Sequence, residues 1–442
     1  MSGGTLPPLA LPWASRQVQD RIAVLGRDLP IHAPDQLFSL LDLSTKAALA
    51  AYERSANLYA GANVLTDHAR QLAAVELSSR PTLGLPGHKF PAGAGLLDTL
   101  ELAATDAVRT VMRAAYADVR LPTATMANLA VLVAFTQPGD TIASLPEPAG
   151  GHVSHRSGAP QVRGLRVATL PYDYEKLDVD LDALPAFLER NKPRLVILGG
   201  SLMLRSHDVP AIAAIVHGFG SHVLYDASHV AGLIAGGRFQ KPLEEGADVL
   251  TFSTYKSFGG PAGGVMCTND AALAERLSDI AFPTLTANYD ASRLGPLAVT
   301  ASALLANGEE YADQCIGNAR MLGQFLSEEG LSVLEREKGF TDTHHLAVDV
   351  SGHGGGDVVS EKLSRAGIIA SPSILPIGDD ETEARGLRLG TQELTRRGLG
   401  SDDFMQLARL MSAVLNDRVD VADAAESVGR LFPPHADPWA AE

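Results

Sequence analysis

The chain has 442 residues, 45% of them hydrophobic and 20% charged, a balance that excludes a mainly disordered polypeptide. Its 36 basic residues against 52 acidic ones give a formal net charge of −16, which repels nucleic acid, and no Lys/Arg block offsets it locally. No apolar run reaches the roughly 18 residues of a membrane span. Two cysteines, Cys267 and Cys315, in so long a chain fit reduced thiols and a cytoplasmic setting better than a disulfide framework.

At roughly 100–200 residues per domain, two or three domains are expected. Residues 1–60 read as an arm. The run from Pro7 to Pro12 is too proline-rich for regular structure, and Leu37 to Tyr59 spaces its apolar residues as a docked helix would. Asp98 to Tyr116 is a second helical stretch. After Pro122, the triplet Thr123-Ala124-Thr125 precedes a helical segment from Met126 to Phe135.

Beyond Pro138-Gly139-Asp140 the pattern alternates. Strands are expected at Thr141–Ser144, Leu165–Leu170, Leu195–Leu198, His222–Tyr225 (ending at Asp226), Asp248–Phe252 and Gly264–Cys267, with helices at Leu177–Arg190 and Val209–Phe219. Apolar, branched strands separated by helices indicate an α/β fold with a mostly parallel sheet. Ligands in such sheets sit at the carboxyl ends of the strands, where the glycines and polar residues collect here. Residues 272–325 read as largely helical. From Gly330 short strands at Thr343–Val350 and Gly386–Leu389 among helices suggest a smaller α+β part.

The chemistry concentrates in Asp226-Ala227-Ser228-His229-Val230-Ala231-Gly232 and Ser253-Thr254-Tyr255-Lys256-Ser257-Phe258-Gly259-Gly260-Pro261. Burying an unpaired ammonium among small residues costs several kcal/mol, on the order of 2–7 for even a neutral polar group. Lys256 makes sense there as an amine that forms an imine with an aldehyde cofactor. Pyridoxal 5'-phosphate requires such a lysine, a carboxylate against its ring nitrogen and a phosphate seat. Asp226 supplies the carboxylate. The start of the helix at Thr123-Ala124-Thr125 supplies exposed amides and hydroxyls for a dianion, with Thr125 also a possible helix cap. His152, in Gly150-Gly151-His152, is placed to stack on the ring, and His229 to reach its phenolic oxygen. Neither the cysteines nor the scattered histidines have metal-ligand spacing, so no metal is expected.

These segments, with Phe340-Thr341-Asp342-Thr343-His344, Gly386-Leu387-Arg388-Leu389-Gly390-Thr391 and Thr395-Arg396-Arg397-Gly398, resemble the serine hydroxymethyltransferase family of aspartate-aminotransferase-like (fold-type I) pyridoxal-phosphate enzymes, from about residue 55 to about residue 415. The resemblance implies a seven-stranded, mostly parallel sheet in a large α/β/α domain (61–305) and a small C-terminal α+β domain (306–442). It makes Lys256 the Schiff-base lysine and Asp226 the ring-nitrogen partner. Ala124, Thr125 and Ser253 would serve the phosphate, His152 the ring face, Ser201 and His229 the phenolic oxygen, and Arg388 the substrate α-carboxylate. Family members are dimers or dimer pairs, so a homo-oligomer is implied.

The chain also departs from the family. Leu83, in Pro81-Thr82-Leu83-Gly84, stands where the family has a glutamate that assists hydroxymethyl and folate chemistry. Pro81 and Pro91 replace two tyrosines, Gly61 a serine, and Tyr255 the histidine before the lysine. A double glycine that the family's neighbouring subunit gives to the phosphate has no clear match near Phe282 to Ser292. His88, in Leu85-Pro86-Gly87-His88-Lys89-Phe90, is expected near the entrance as a substrate contact, in a Pro-Gly-His-Lys run that resembles one in bacterial basic-amino-acid decarboxylases.

A folate-independent aldolase or transaldolase is the expected activity, with an amino-acid substrate and an aldehyde partner, acting through a quinonoid. His152 is the first choice of base for the β-hydroxyl and Tyr255 the second. Racemisation or transamination at Cα–H, folate-dependent hydroxymethyl transfer and decarboxylation stay open as alternatives.

Overall fold

The computed structural model describes residues 11–26, 29–378 and 381–432; of the stretch Pro7 to Pro12, all but Leu11 and Pro12 lies outside them. The chain divides into two compact units, 1–54 and 55–442. In the first, helices Arg16–Gly26 and Pro34–Glu53 bury none of their residues. The expected helix from Leu37 to Tyr59 therefore starts earlier and ends at Glu53. Ala56–Asn57, in the second unit, is extended and pairs in parallel with Ile368–Ile369.

The second unit is built on seven strands, β1 (Tyr116–Asp118), β2 (Thr141–Ser144), β3 (Arg166–Thr169), β4 (Leu195–Leu198), β5 (His222–Asp226), β6 (Val249–Ser253) and β7 (Gly264–Thr268). They lie in the order β1-β7-β6-β5-β4-β2-β3, parallel except where β7 runs antiparallel to β6 and β1. Successive side chains enter opposite faces. Ile142, Leu195, Ile197, Leu224, Val249 and Met266 join one apolar cluster. Their neighbours Ala143, Val196, Leu198, Val223, Leu250 and Val265 join another. Burial on both faces explains why these strands read as unbroken apolar runs.

Two helices are shorter than the sequence suggests. The helix from Asp98 ends at Val111, because Arg113 takes a left-handed conformation (φ 53°) and Tyr116–Asp118 joins the sheet edge as β1. Leu177 also has positive φ (56°), and the expected Leu177–Arg190 helix begins only at Leu184. Within 272–325, helix Ala271–Asp279 is separated by an irregular turn around Phe282–Pro283 from the 35-residue helix Leu294–Glu328.

That long helix serves two cores. Leu294 to Ile316 pack with the large sheet, while Ala319, Leu322 and Leu326 pack with the C-terminal strands. Those strands are β8 (Ser332–Val333), β9 (His345–Asp349), β10 (Ser371–Ser373) and β11 (Gly386–Gly390), antiparallel in the order β8-β9-β11-β10. Among the described residues no helix is long and apolar enough to cross a membrane.

Candidate active site

The carboxyl ends of β4, β5 and β6 converge. β5 ends on Asp226, β6 ends on Ser253, and β4 runs into Gly199-Gly200-Ser201. Gly199 has φ +78°, and a Cβ there would stand 2.1 Å from the Asp226 carbonyl oxygen, so only glycine lets the two strand ends meet.

Asp226 is buried, with 4% of its surface exposed, yet well supplied with donors. Its Oδ2 lies 2.7 Å from His155 Nε2 and accepts from Asn128 Nδ2 at 2.8 Å; Oδ1 accepts from the Ser228 N–H at 2.9 Å. Burial opposes ionisation, but His155, Ser228 and Asn128 outweigh it and hold the carboxyl well below the usual carboxylate range. A carboxylate offers about four lone pairs, and these contacts leave one open on Oδ1.

Lys256 follows β6 in a loop whose backbone is held from outside. Its carbonyl accepts from Asn63 Nδ2 at 3.0 Å, and that of Ser257 from the Tyr311 hydroxyl at 2.8 Å. Among the described residues the amine has no carboxylate within hydrogen-bond reach; its neighbour is His229 Nε2, 3.1 Å away. His229 Nδ1 faces the Ala60 carbonyl at 3.2 Å, which places the ring proton on Nδ1 and leaves Nε2 as an acceptor. Burial lowers the Lys256 amine to about 8, with Arg388 adding to the effect and Asp226 opposing it.

His152 caps its short helix. Ser154 N–H donates to Nδ1 at 3.1 Å, and the Ser154 hydroxyl lies 2.7 Å from the same atom. Burial and the neighbouring His155 lower the imidazole to about 4, so the ring is neutral at physiological pH. Arg388, on β11, reaches across to the large sheet and donates from Nη1 to the Ser201 carbonyl at 2.6 Å. Its Nε is buried without a partner. The Ser253 hydroxyl donates to that of Ser228 at 3.4 Å. Tyr255, 38% exposed, is held above the ordinary phenol range by partial burial and by Tyr59.

Gly264 stands opposite Ser253 in the β6–β7 register, and a Cβ there would lie 2.7 Å from Ala124 N. Ser253 and the first turn of helix Ala124–Phe135 thus flank the same glycine. The cap of that helix is Thr123, whose hydroxyl accepts from Met126 N–H at 3.2 Å; Thr125 lies exposed in the first turn instead of at the cap. His88 is not drawn into this cluster. It is exposed on the hairpin Gly84–Leu85/His88–Lys89, while Lys89 turns inward to pair with buried Glu101.

Sequence reasoning missed the groups that prepare the site. His155 and Asn128 hold Asp226, and Tyr59 lies with its ring 5.8 Å from the Arg388 guanidinium carbon. His345 accepts from Met203 N–H at 3.1 Å, and its other nitrogen is buried without a partner, as are both of His344. His155, three residues after His152, was the one legible hint.

These features suit pyridoxal phosphate. An amine with lowered proton affinity, an ionised carboxylate with an open lone pair, and a helix start beside small hydroxyl residues match its aldehyde, ring nitrogen and phosphate. The buried unpartnered Arg388 Nε is a donor awaiting an acceptor. Among the described residues no three His, Cys, Asp or Glu side chains are grouped to hold a metal ion.

Comparison with known proteins agrees. The family model for serine hydroxymethyltransferase matches residues 40–411. A serine hydroxymethyltransferase of Methanopyrus kandleri is 40% identical over 379 residues, covering 85% of this chain and 88% of that one. An alpha-methylserine aldolase of Ralstonia sp is 36% identical over 428 residues, 96% of this chain and 98% of that one. Among solved structures, L-threonine transaldolase from Pseudomonas fluorescens superposes with a TM-score of 0.82 at 27% identity, covering 92% and 93% of the two chains. With the sheet order, the lysine–aspartate pair and these matches together, the chain belongs to the serine hydroxymethyltransferase family of fold-type I pyridoxal-phosphate enzymes.

Proposed function

We propose that the protein cleaves or forms the Cα–Cβ bond of a β-hydroxy-α-amino acid without folate, as an aldolase or transaldolase. The observation that carries this reading is Leu83 in place of the family's glutamate while Lys256, Asp226 and Arg388 are kept. Leucine can neither hold nor pass a proton. Relatives named for aldolase chemistry that match nearly the whole chain support it, and the Ralstonia relative favours serine-like substrates carrying an α-methyl group.

When bound, pyridoxal phosphate supplies an aldehyde carbon for the amino group and a conjugated ring that draws electrons from a bond at Cα. The chain's own residues do the rest. Lys256 offers a neutral amine near pH 8 for covalent attachment. Asp226 holds a proton on the ring nitrogen through its open Oδ1 lone pair, with His155 and Asn128 fixing Oδ2. Ser253, Ala124 and Thr125 would hold the phosphate, and Ser201 and His229 would serve the phenolic oxygen. Arg388 would take the α-carboxylate with its guanidinium.

His152 serves the β-hydroxyl. In the tautomer set by Ser154 N–H its Nε2 carries the proton and donates; Nε2 accepts only in the other tautomer, in which Nδ1 gives up the Ser154 N–H and donates to Ser154 Oγ, 2.7 Å away. Tyr255 is the weaker base, since its raised proton affinity keeps it protonated.

Residues 61–305 form the cofactor-binding part and 306–442 bring in Arg388. A homodimer or dimer pair is supported by the unburied helix Pro34–Glu53 and by exposed Leu85, Phe90 and Leu96, and His88 would then serve a partner's site. The scarcity of cysteine supports a cytoplasmic setting.

The test is incubation of holoenzyme with serine, α-methylserine, threonine, and D- and L-alanine in deuterated water, with chiral separation and mass detection. Aldehyde release without folate supports the reading. Exchange or inversion of alanine with no aldehyde from any substrate overturns it.

A further inference from the structure

Arg388 is held on one side only by the protein backbone, through Nη1 and the Ser201 carbonyl at 2.6 Å. Over its guanidinium lies Tyr59, 40% exposed, with the ring centroid 5.8 Å from the guanidinium carbon. The Tyr59 backbone is anchored firmly. Its N–H donates to Asn57 Oδ1 at 3.1 Å, and its carbonyl accepts from Gln392 Nε2 at 3.0 Å and from Ala62 N–H at 3.2 Å.

The ring can lie there because residue 61 is glycine. A Cβ at Gly61 would stand 2.8 Å from Tyr59 Cε1 and Cζ and 2.9 Å from its hydroxyl oxygen. Real Cβ atoms do not approach ring carbons so closely, so a serine at 61 displaces the phenol. The serine that the family carries at this position is thus exchanged for a tyrosyl hydroxyl delivered from two residues upstream.

We propose that Tyr59, seated over Gly61, positions Arg388 for the substrate α-carboxylate and selects for substrates that carry one. The inference rests on the reading that Arg388 binds that carboxylate. A planar guanidinium fixed at Nη1 by Ser201 and on its face by an aromatic ring has little freedom left, so it is preorganised. Tyr59 also raises the proton affinity of the Tyr255 phenol, so the two tyrosines are electrostatic neighbours.

The experiment compares alanine with alaninamide, which lacks the carboxylate, by spectral titration of holoenzyme carrying Tyr59→Phe, Tyr59→Ala, Gly61→Ser, Tyr59→Ala with Gly61→Ser, and Arg388→Lys. Tyr59→Ala is expected to raise the alanine Kd by about five- to thirtyfold and to leave alaninamide within about twofold of wild type. Tyr59→Phe, which keeps the ring but removes the hydroxyl that also interacts with Arg388, should fall between wild type and Tyr59→Ala. Gly61→Ser should resemble Tyr59→Ala, and the double variant should be no worse than either, because both act through one ring. Equal losses for alanine and alaninamide, wild-type alanine binding in Tyr59→Ala, or additive losses in the double variant overturn the proposal. If Arg388→Lys leaves the wild-type preference for alanine over alaninamide unchanged, the carboxylate reading falls and this inference falls with it.

Discussion

The lowered proton affinity of Lys256 gives the sharpest test of the site's electrostatics. With the amine at about 8 instead of 10.5, about one molecule in ten is neutral at pH 7, against about one in three thousand for an ordinary lysine. That is a roughly 300-fold gain in nucleophile, and it corresponds to about 3 kcal/mol of preference for the neutral form. The rate at which apoenzyme captures pyridoxal phosphate, quenched with borohydride and counted by mass spectrometry at Lys256, should rise with pH to a midpoint near 8. Two substitutions should move that midpoint in opposite directions. Asp226→Asn removes an attraction and lowers it, whereas Arg388→Gln removes a repulsion and raises it. Between about pH 8 and 10.5 the unfolded chain holds a proton that the native chain does not, so apoenzyme stability gains from this group as pH rises through that window. A midpoint at the ordinary lysine value, or shifts of the same sign in the two variants, would refute the reasoning.

Three further outcomes are expected. His155→Leu removes a donor 2.7 Å from buried Asp226, and should cost about 1.5–3 kcal/mol at pH 7 in urea denaturation. Because the Asp226 carboxyl is depressed in the folded state, that cost should shrink as pH falls below about 4, where the unfolded aspartate also protonates; a pH-independent loss would mean that His155 only fills space. Arg388→Ala should raise amino-acid Kd about ten- to hundredfold in spectral titration, and unchanged binding would assign the carboxylate to another group. Sedimentation should find a dimer or larger, and a fully active monomer would contradict the assembly.

The sheet was legible because its strands are buried on both faces. Runs such as Leu195–Leu198 and His222–Asp226 needed no long-range information. β1 was not legible, since the apolar spacing of Asp98–Val111 continues through Tyr116 and the break at Arg113 is a left-handed turn without glycine. The lysine and aspartate were visible because each ends a strand within a local motif. Their supports were not: Asn128 reaches Asp226 across 98 residues and His155 across 71, and no spacing rule connects them. Tyr59 was hidden for a similar reason, because its partner lies on β11 and its place depends on an absent side chain at Gly61. His88 illustrates the converse, since a motif beside an expected entrance folds onto an exposed hairpin of the single chain.

The central claim is Cα–Cβ chemistry that proceeds without folate. The most direct measurement is aldehyde release from a β-hydroxy-α-amino acid by folate-stripped holoenzyme, followed with and without added tetrahydrofolate. Equal rates in both, with the matching α-amino acid formed in step with the aldehyde, are predicted from Leu83 in the place of the family's glutamate while Lys256, Asp226 and Arg388 are kept. Release that appears only when tetrahydrofolate is added would contradict the account.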